Sequence, residues 1–355
     1  MSRPRQIVRY LTTSDGVRLA WADAGSGPPF VKAANWLSHL EFDLESPVWR
    51  HWMSFFPAHF RFIRYDERGC GMSDWDVADL SLERRIADLE AVIDAADPGA
   101  PVILLGISQG AAVSVLYALR HPERVARMIL CGAYARGSLR RGAEDAKAYR
   151  AITDLTHLWG RDNPAFRQVF TSRFIPEGTQ EQLRWFNELC RKTTSPQMAR
   201  ALLTSRGDID ITDRLPEVRT PTLILHARND EISPISEGRL LAAAIPGAEF
   251  VELDSRNHVL LEHEPAWERF QEAVLKFTGQ VPKGDTASPA FASLSPRERE
   301  ILTLLADGLP NADIAERLGI SEKTVRNHMS HVFDKLGVWS RAQAIVFARE
   351  RGFVS

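Results

Sequence analysis

No charge of either sign dominates this chain: 44 Lys+Arg stand against 46 Asp+Glu in 355 residues, a formal charge of −2. That balance excludes a protein that holds nucleic acid by bulk attraction, so any such contact must come from local placement of charge. Long apolar runs are missing too. The longest, Leu240 to Ile245, has six residues, far short of the roughly 20 needed for a membrane-spanning helix, and no membrane partner is expected. Cysteine is scarce: Cys70, Cys131 and Cys190 are odd in number and widely spaced, which predicts free thiols rather than a disulfide framework. The opening MSRPRQIVRYLTTSDG has no continuous apolar stretch and no small-residue cleavage site, so it does not read as a signal peptide, and the expected location is the cytoplasm. No repeat and no metal-ligand cluster is visible, and neither a metal nor a cofactor is expected. What is present is an ordinary globular composition, 44% hydrophobic and 25% charged, over a length that predicts roughly two domains.

The texture breaks at Gly279 to Ala292, GQVPKGDTASPAFA, where small residues and Pro replace the periodic pattern; this reads as an interdomain linker. It divides a region 1–278 from a region 293–355. Neither side is strongly charged: Ser293 to Ser355 carries +1 and the rest −3. Upstream, β-rich runs alternate with helical stretches: Ile7 to Tyr10, Val17 to Ala22, Pro29 to Ala34, Arg61 to Tyr65, Val102 to Ile107, Val125 to Leu130, Thr222 to His226 and Glu249 to Leu253. The later runs are apolar on consecutive residues, as parallel strands covered on both faces are, whereas Val17 to Ala22 follows an Asp15-Gly16 turn and reads as half a hairpin. The fold class is α/β. From about Tyr134 to Asp213 strands give way to helices bearing Trp159, Phe166, Phe170, Phe174, Trp185 and Phe186, which predicts a helical cap whose aromatics are core filler, with pocket lining the alternative.

The run Val102 to Ile107 ends in Gly106-Ile107-Ser108-Gln109-Gly110 and passes at once into a helical pattern. A strand-to-helix elbow holds its serine in a strained conformation, and the positions two before and two after must lack side chains. Ser108 is therefore the candidate nucleophile. It needs a base and an acid to orient that base. Asp230 follows the strand Thr222 to His226, and His258 follows Glu249 to Leu253, both on the same sheet edge as Ser108. The rivals are His263, expected inside a helix Leu260 to Phe277, and the acids Glu231 and Asp254. An oxyanion needs two N–H donors; the candidates are the backbones of Gln109 and of Trp36, the latter in the loop Ala33-Ala34-Asn35-Trp36.

With these residues and the stretch Asp66-Glu67-Arg68-Gly69-Cys70-Gly71-Met72-Ser73, residues 1 to about 278 resemble the α/β-hydrolase superfamily. The chain departs from it at Ala34-Asn35, where many members carry His-Gly before the oxyanion donor.

Downstream, Ser295, Pro296 and Glu298 form a capping box that opens a helix Arg297 to Asp307. Asn311 is expected to cap a second helix through Leu318, Ser321 a third to about Leu336, and Ser340 a last one, making a small all-α, four-helix domain. Ala315, Gly319 and Val325 fall where a helix-turn-helix needs a small residue, a turn and a β-branched packer. Val325, His328, Val332 and Leu336 are expected to face inward, and Lys323, Arg326, Asn327 and Ser330 outward, able to reach base edges or phosphates. The modest charge argues for two copies on DNA. This segment resembles the LuxR-type helix-turn-helix domain, through Leu294-Ser295-Pro296-Arg297-Glu298-Arg299-Glu300, Ile314-Ala315, Lys323-Thr324-Val325, His328 and Lys335-Leu336. The resemblance implies a recognition helix in the major groove of double-stranded DNA, with Arg326, Asn327 and Ser330 toward bases and Lys323 and Lys335 toward phosphates. It also implies a homodimer formed through Arg341 to Arg349. Ala312 and Ser330 stand where that family often has lysine.

The expected function is a transcription regulator that senses a small molecule through its hydrolase-like domain. The alternative is an active serine hydrolase, acting on an ester, thioester or lactone, with an appended DNA-binding module.

Overall fold

The computed structural model describes residues 6–280, 291, 293–350 and 353. The chain divides into two compact units, Met1–Phe277 and Thr278–Ser355. Most of the expected linker, Gly279 to Ala292, lies outside the described residues.

All eight expected runs are strands: β1 (Ile7–Thr12), β2 (Arg18–Ala24), β3 (Pro29–Ala33), β4 (Arg61–Tyr65), β5 (Val102–Ile107), β6 (Val125–Cys131), β7 (Thr222–Ala227) and β8 (Glu249–Leu253). They form one sheet in the order β1-β2-β4-β3-β5-β6-β7-β8. β1 and β2 pair as a hairpin, its turn closed by a hydrogen bond from Gly16 N to Thr13 O with Gly16 at φ +85°. β2 is also antiparallel to β4, while every pairing from β4 through β3 to β8 is parallel. β5 shows why consecutive apolar residues are needed. Ile103, Leu105 and Ile107 enter the core on one face of the sheet, and Val102 and Leu104 the core on the other, so every position is covered.

Helices α1 (Arg50–His59), α2 (Leu82–Ala96) and α3 (Gly110–Arg120) connect the first strands. Between β6 and β7 lie α4 (Ala143–Asp154), α5 (Ala165–Phe174), α6 (Gln180–Thr193) and α7 (Pro196–Gly207), and this stretch contributes no strand to the sheet. It is the helical cap. α8 (Ile235–Ala244) and α9 (Pro265–Thr278) follow β7 and β8. Trp159 ties the cap to the sheet: it is fully buried, its indole N–H donates to Cys190 O at 2.8 Å, and its ring stacks on Trp36 at 5.2 Å. Truncating it to alanine should cost about 3–5 kcal/mol.

The second unit is built from α10 (Pro296–Ala306), α11 (Asn311–Leu318), α12 (Glu322–Leu336) and α13 (Arg341–Glu350) around its own apolar cluster, which includes Ile301, Ile314, Val325, Val332 and Ala344. Ser295 and Glu298 form the capping box of α10, and Ser321 caps α12 by accepting from Thr324 N. Gly319 ends α11 at φ +63°, a left-handed position that favours glycine. Two details differ from expectation. Pro310 holds the cap position of α11; Asn311 is its first residue, and its side chain accepts from Arg341 Nη1 at 3.2 Å. Met329 rather than His328 is buried on α12, because packing against α10 and α11 selects positions 325, 329, 332 and 336.

Candidate active site and DNA-binding helix

Ser108 sits between the end of β5 and the start of α3 with φ +54°, one of two non-glycine residues with positive φ among the described residues. The neighbouring glycines explain the turn. A Cβ on Gly106 would lie 2.7 Å from Ala111 Cα, and one on Gly110 would press on the Ala33 and Ala34 carbonyls at 3.3 Å. Only Gly106 is strictly barred from a side chain; Gly110 is merely tight. Holding serine in this region costs on the order of 1–3 kcal/mol, which the packed strand and helix must supply.

Because β5 to β8 are parallel, the segments after each emerge at one carboxyl edge, and these carry Ser108, Gly132, Asp230 and His258. Asp230 and His258 meet there: Nδ1 of His258 lies 2.6 Å from Asp230 Oδ2. Asp230 Oδ1 accepts from Ile232 N at 2.8 Å and Ser233 N at 3.0 Å. Burial disfavours the charged carboxylate, yet the His258 charge and hydrogen bond, the Ser233 N–H and His226 together hold Asp230 below its ordinary pKa. The rival acids point elsewhere, Glu231 pairing with Arg256 at 3.4 Å and the exposed Asp254 with Arg228 at 3.4 Å. His263 lies in the turn before α9, not inside a helix, because that helix begins only at Pro265.

His258 is fixed by its backbone N–H donating to Phe174 O at 2.8 Å and by the edge-on Phe174 ring. Its Nε2 is buried and has no hydrogen-bond partner. The structure thus joins the candidate acid to the candidate base, and shows no hydrogen bond from His258 Nε2 to the candidate nucleophile Ser108. Gly132 was not singled out from sequence. At φ +53° it forms the floor beneath the pair, and a Cβ there would sit 3.0 Å from His258 Cε1 and 3.1 Å from Nδ1. Its only sequence signal is a glycine two positions past the run Val125 to Leu130.

Gln109 is the N-cap residue of α3, which sets it at the positive end of that helix, and Gln109 and Trp36 both line the same pocket as Ser108. The Ala34-Asn35 departure has a structural use: buried Lys32 donates from Nζ to Asn35 Oδ1. Burial lowers the Lys32 pKa to about 8, against the attraction of Asp43. The Asp66 to Ser73 stretch is scaffolding. Asp66 accepts from Ser38 Oγ, Leu40 N and Met72 N, and Arg68 binds Asp88 and Asp15. Glu67 lies between Arg85 and the cap residue Arg206. All three cysteines are free and buried, and burial raises each thiol well above its ordinary pKa.

The pocket is a partly open cleft spanning about 590 Å³ of empty space, the open solvent at its mouth included. Besides Ser108, Gln109 and Trp36 its wall takes Phe170 and Phe174 from α5, Tyr134, Tyr149, and the arginines Arg141, Arg173 and Arg206. Of the cap aromatics, Phe170 and Phe174 are lining; Trp159, Phe166 and Phe186 are buried core, and Trp185 stacks on Phe42. Among the described residues no group of His, Cys, Asp or Glu could hold a metal ion, and no helix is long and apolar enough to cross a membrane.

In the second unit Lys323, Arg326, Asn327 and Ser330 are all exposed on α12. Arg326 reaches Glu322 at 3.6 Å, a solvent-exposed pair of little strength. The Lys335 ammonium lies 2.7 Å from Glu298 Oε2, tying the end of α12 to the capping box of α10.

Residues 53–266 match the family described as serine aminopeptidase, S33, and residues 292–348 match the luxR family of bacterial regulatory proteins. Over 254 residues the chain is 30% identical to the AB hydrolase superfamily protein YisY of Bacillus subtilis (strain 168), covering 70% of this chain and 91% of that protein. Over 63 residues it is 56% identical to the probable HTH-type transcriptional regulator GfsR of Streptomyces halstedii, covering 18% of this chain and 25% of that one. An esterase from Exiguobacterium antarcticum shares the fold with a TM-score of 0.64 at 22% identity, covering 77% of this chain and 100% of that one. The chain therefore belongs to the α/β-hydrolase superfamily and joins that domain to a C-terminal DNA-binding domain of the luxR family of bacterial regulatory proteins.

Proposed function

We propose that this protein is a transcription regulator that binds a small acyl compound in the pocket beside Ser108 and double-stranded DNA through α12, acting as a homodimer. The observation that carries this reading is the joining, in one chain, of a partly open pocket at a serine elbow to a helix that exposes Lys323, Arg326, Asn327 and Ser330. Arg326, Asn327 and Ser330 read base edges and Lys323 meets phosphate, while Lys335 serves mainly to brace the module through Glu298. Two copies meet through α13 and the turn before it, where Trp339 is 86% exposed and Val346 51% exposed. A ligand that favours one dimer arrangement over another shifts the population that binds DNA.

A second reading, an active serine hydrolase with an appended DNA-binding module, is favoured by the Asp230–His258 pair. In it Ser108 Oγ attacks an ester or lactone carbonyl, His258 Nε2 takes the serine proton and returns it to the leaving oxygen, and Asp230 holds the imidazole. The N–H groups of Gln109 and Trp36 receive the oxyanion, and water then releases the acid from the acyl-serine. The two readings are compatible.

The test is binding of promoter-proximal DNA to the full chain across a salt series. Affinity should fall steeply as salt rises, through counterion release, and Arg326→Ala should weaken it by about tenfold or more. Binding that ignores both salt and Arg326 overturns the docking.

A further inference from the structure

The pocket beside Ser108 carries more positive charge than its own walls neutralise. Arg141, Arg173 and Arg206 line it, and none of its lining residues is acidic. Arg141 donates from Nε to Arg136 O at 2.7 Å and from Nη1 to Ile232 O at 3.1 Å, and lies over the Tyr134 ring at 4.8 Å. Arg173 donates from Nη2 to Glu231 O at 2.8 Å. These are backbone carbonyls: they orient a guanidinium without cancelling its charge.

The carboxylates nearby are committed to other partners. Glu67 is shared between Arg85 and Arg206, two guanidiniums on one carboxylate. Asp230 is taken by His258 and two backbone N–H groups, and the Glu231 carboxylate pairs with Arg256. Arg206 is only 3% exposed, yet its Nε and Nη1 have no hydrogen-bond partner, and its guanidinium stacks over Trp36 at 4.9 Å. Donors buried without partners in a pocket wall are costly unless something arrives to accept from them.

We infer that this pocket takes a small organic carboxylate, its anionic group received by Arg141, Arg173 and Arg206 and its apolar body laid against Trp36, Phe170 and Phe174. The inference rests on the reading of the pocket as a small-molecule site and narrows the ligand class. A planar guanidinium matches a carboxylate with paired donors, and an anion brought in from solvent restores the charge balance that Glu67 alone leaves incomplete. Aromatic faces beside the arginines suit a flat or aliphatic body.

The experiment is calorimetric titration of the full chain with matched pairs that differ only in charge: phenylacetate against phenylacetamide, 3-phenylpropanoate against its amide, and hexanoate against hexanamide. The acids should bind more tightly than their amides by about tenfold or more, the scale of one charge-assisted hydrogen bond. In the double variant Arg141→Gln/Arg173→Gln that preference should shrink by about fivefold or more to what Arg206 alone supplies, and Arg141→Lys/Arg173→Lys should keep more of it. Equal binding of acids and amides by the native chain, or a preference undiminished in the Gln double variant, overturns the carboxylate assignment and leaves the small-molecule pocket standing. No binding by any of the six compounds overturns the small-molecule reading of the pocket and this inference together.

Discussion

His258 Nδ1 lies 2.6 Å from Asp230 Oδ2, and the other carboxylate oxygen is already held by the N–H groups of Ile232 and Ser233. With Asp230 ionised, Nδ1 of His258 is assigned the proton and Nε2 is left as the basic nitrogen. Asp230→Asn keeps the shape but favours the wrong tautomer, so hydrolysis of a p-nitrophenyl ester should fall by roughly 10⁴-fold where the chain turns such an ester over. Ser108→Ala should abolish it without lowering thermal stability. Turnover that survives Ser108→Ala would assign the nucleophile elsewhere.

The strain at Ser108 is separately measurable. Its φ of +54° costs nothing for glycine, so Ser108→Gly should stabilise the hydrolase unit by about 1 kcal/mol relative to Ser108→Ala. Urea unfolding of the two variants compares them directly. Equal stability would mean the elbow stores no strain.

Gly132 supports the acid–base pair by having no side chain. Gly132→Ala would push a methyl to 3.0 Å from the His258 ring, and displacement of that ring should reduce ester turnover by about 100-fold. Circular dichroism should show the fold retained. Unchanged turnover would show that the ring yields without consequence.

These positions differ in how far the sequence revealed them. Ser108 was legible because Gly106 and Gly110 flank it at fixed spacing, and the central strands were legible because β5, β6 and β7 bury consecutive apolar residues on both faces. Gly132 was not, since one glycine after a strand has many uses. Arg206 and Glu67 were invisible for a different reason: they lie 139 positions apart, and only the folding of α7 back over the sheet brings them together. In the C-terminal unit Met329 and His328 were exchanged because neighbouring positions on a helix differ by about 100° and the tilt against α10 decides which is buried. The resemblance to the LuxR-type domain places Lys335 toward phosphate, and its ion pair with Glu298, 37 positions away, is visible only in the folded unit.

That partnership gives the DNA-binding unit an acid limit. The Lys335 ammonium and the Ser295 N–H hold the Glu298 carboxyl at about 2, below its ordinary 4.5. The folded unit therefore binds fewer protons than the unfolded chain between these values. The stabilisation is fully present above pH 4.5 and is lost as pH falls through about 2. Because Lys335 is partly exposed, Glu298→Gln should cost only about 1–2 kcal/mol at neutral pH and should flatten the acid dependence. Hydrogen exchange of the α10 amides, followed from pH 6 downward, checks both; an unaltered acid profile in the variant would dissociate Glu298 from it.

Trp339 is 86% exposed at the turn before α13. Trp339→Glu should place a charge in the proposed dimer contact and shift the full chain toward monomer in sedimentation, with affinity for a two-half-site DNA falling by about tenfold or more. A dimer that persists undisturbed would move the contact away from this turn.

The most direct test of the central claim, that pocket occupancy governs DNA binding, is one titration of promoter DNA with the full chain, with and without a panel of candidate acyl esters, lactones and carboxylates. Wild type and Ser108→Ala should be measured side by side, with ester turnover followed on the same preparations. The account predicts that at least one compound changes DNA affinity by about fivefold or more. Retention of that change in Ser108→Ala makes the pocket a receptor, and its loss together with turnover makes hydrolysis the signal. A compound that demonstrably fills the pocket and leaves DNA affinity unchanged in both proteins would contradict the account.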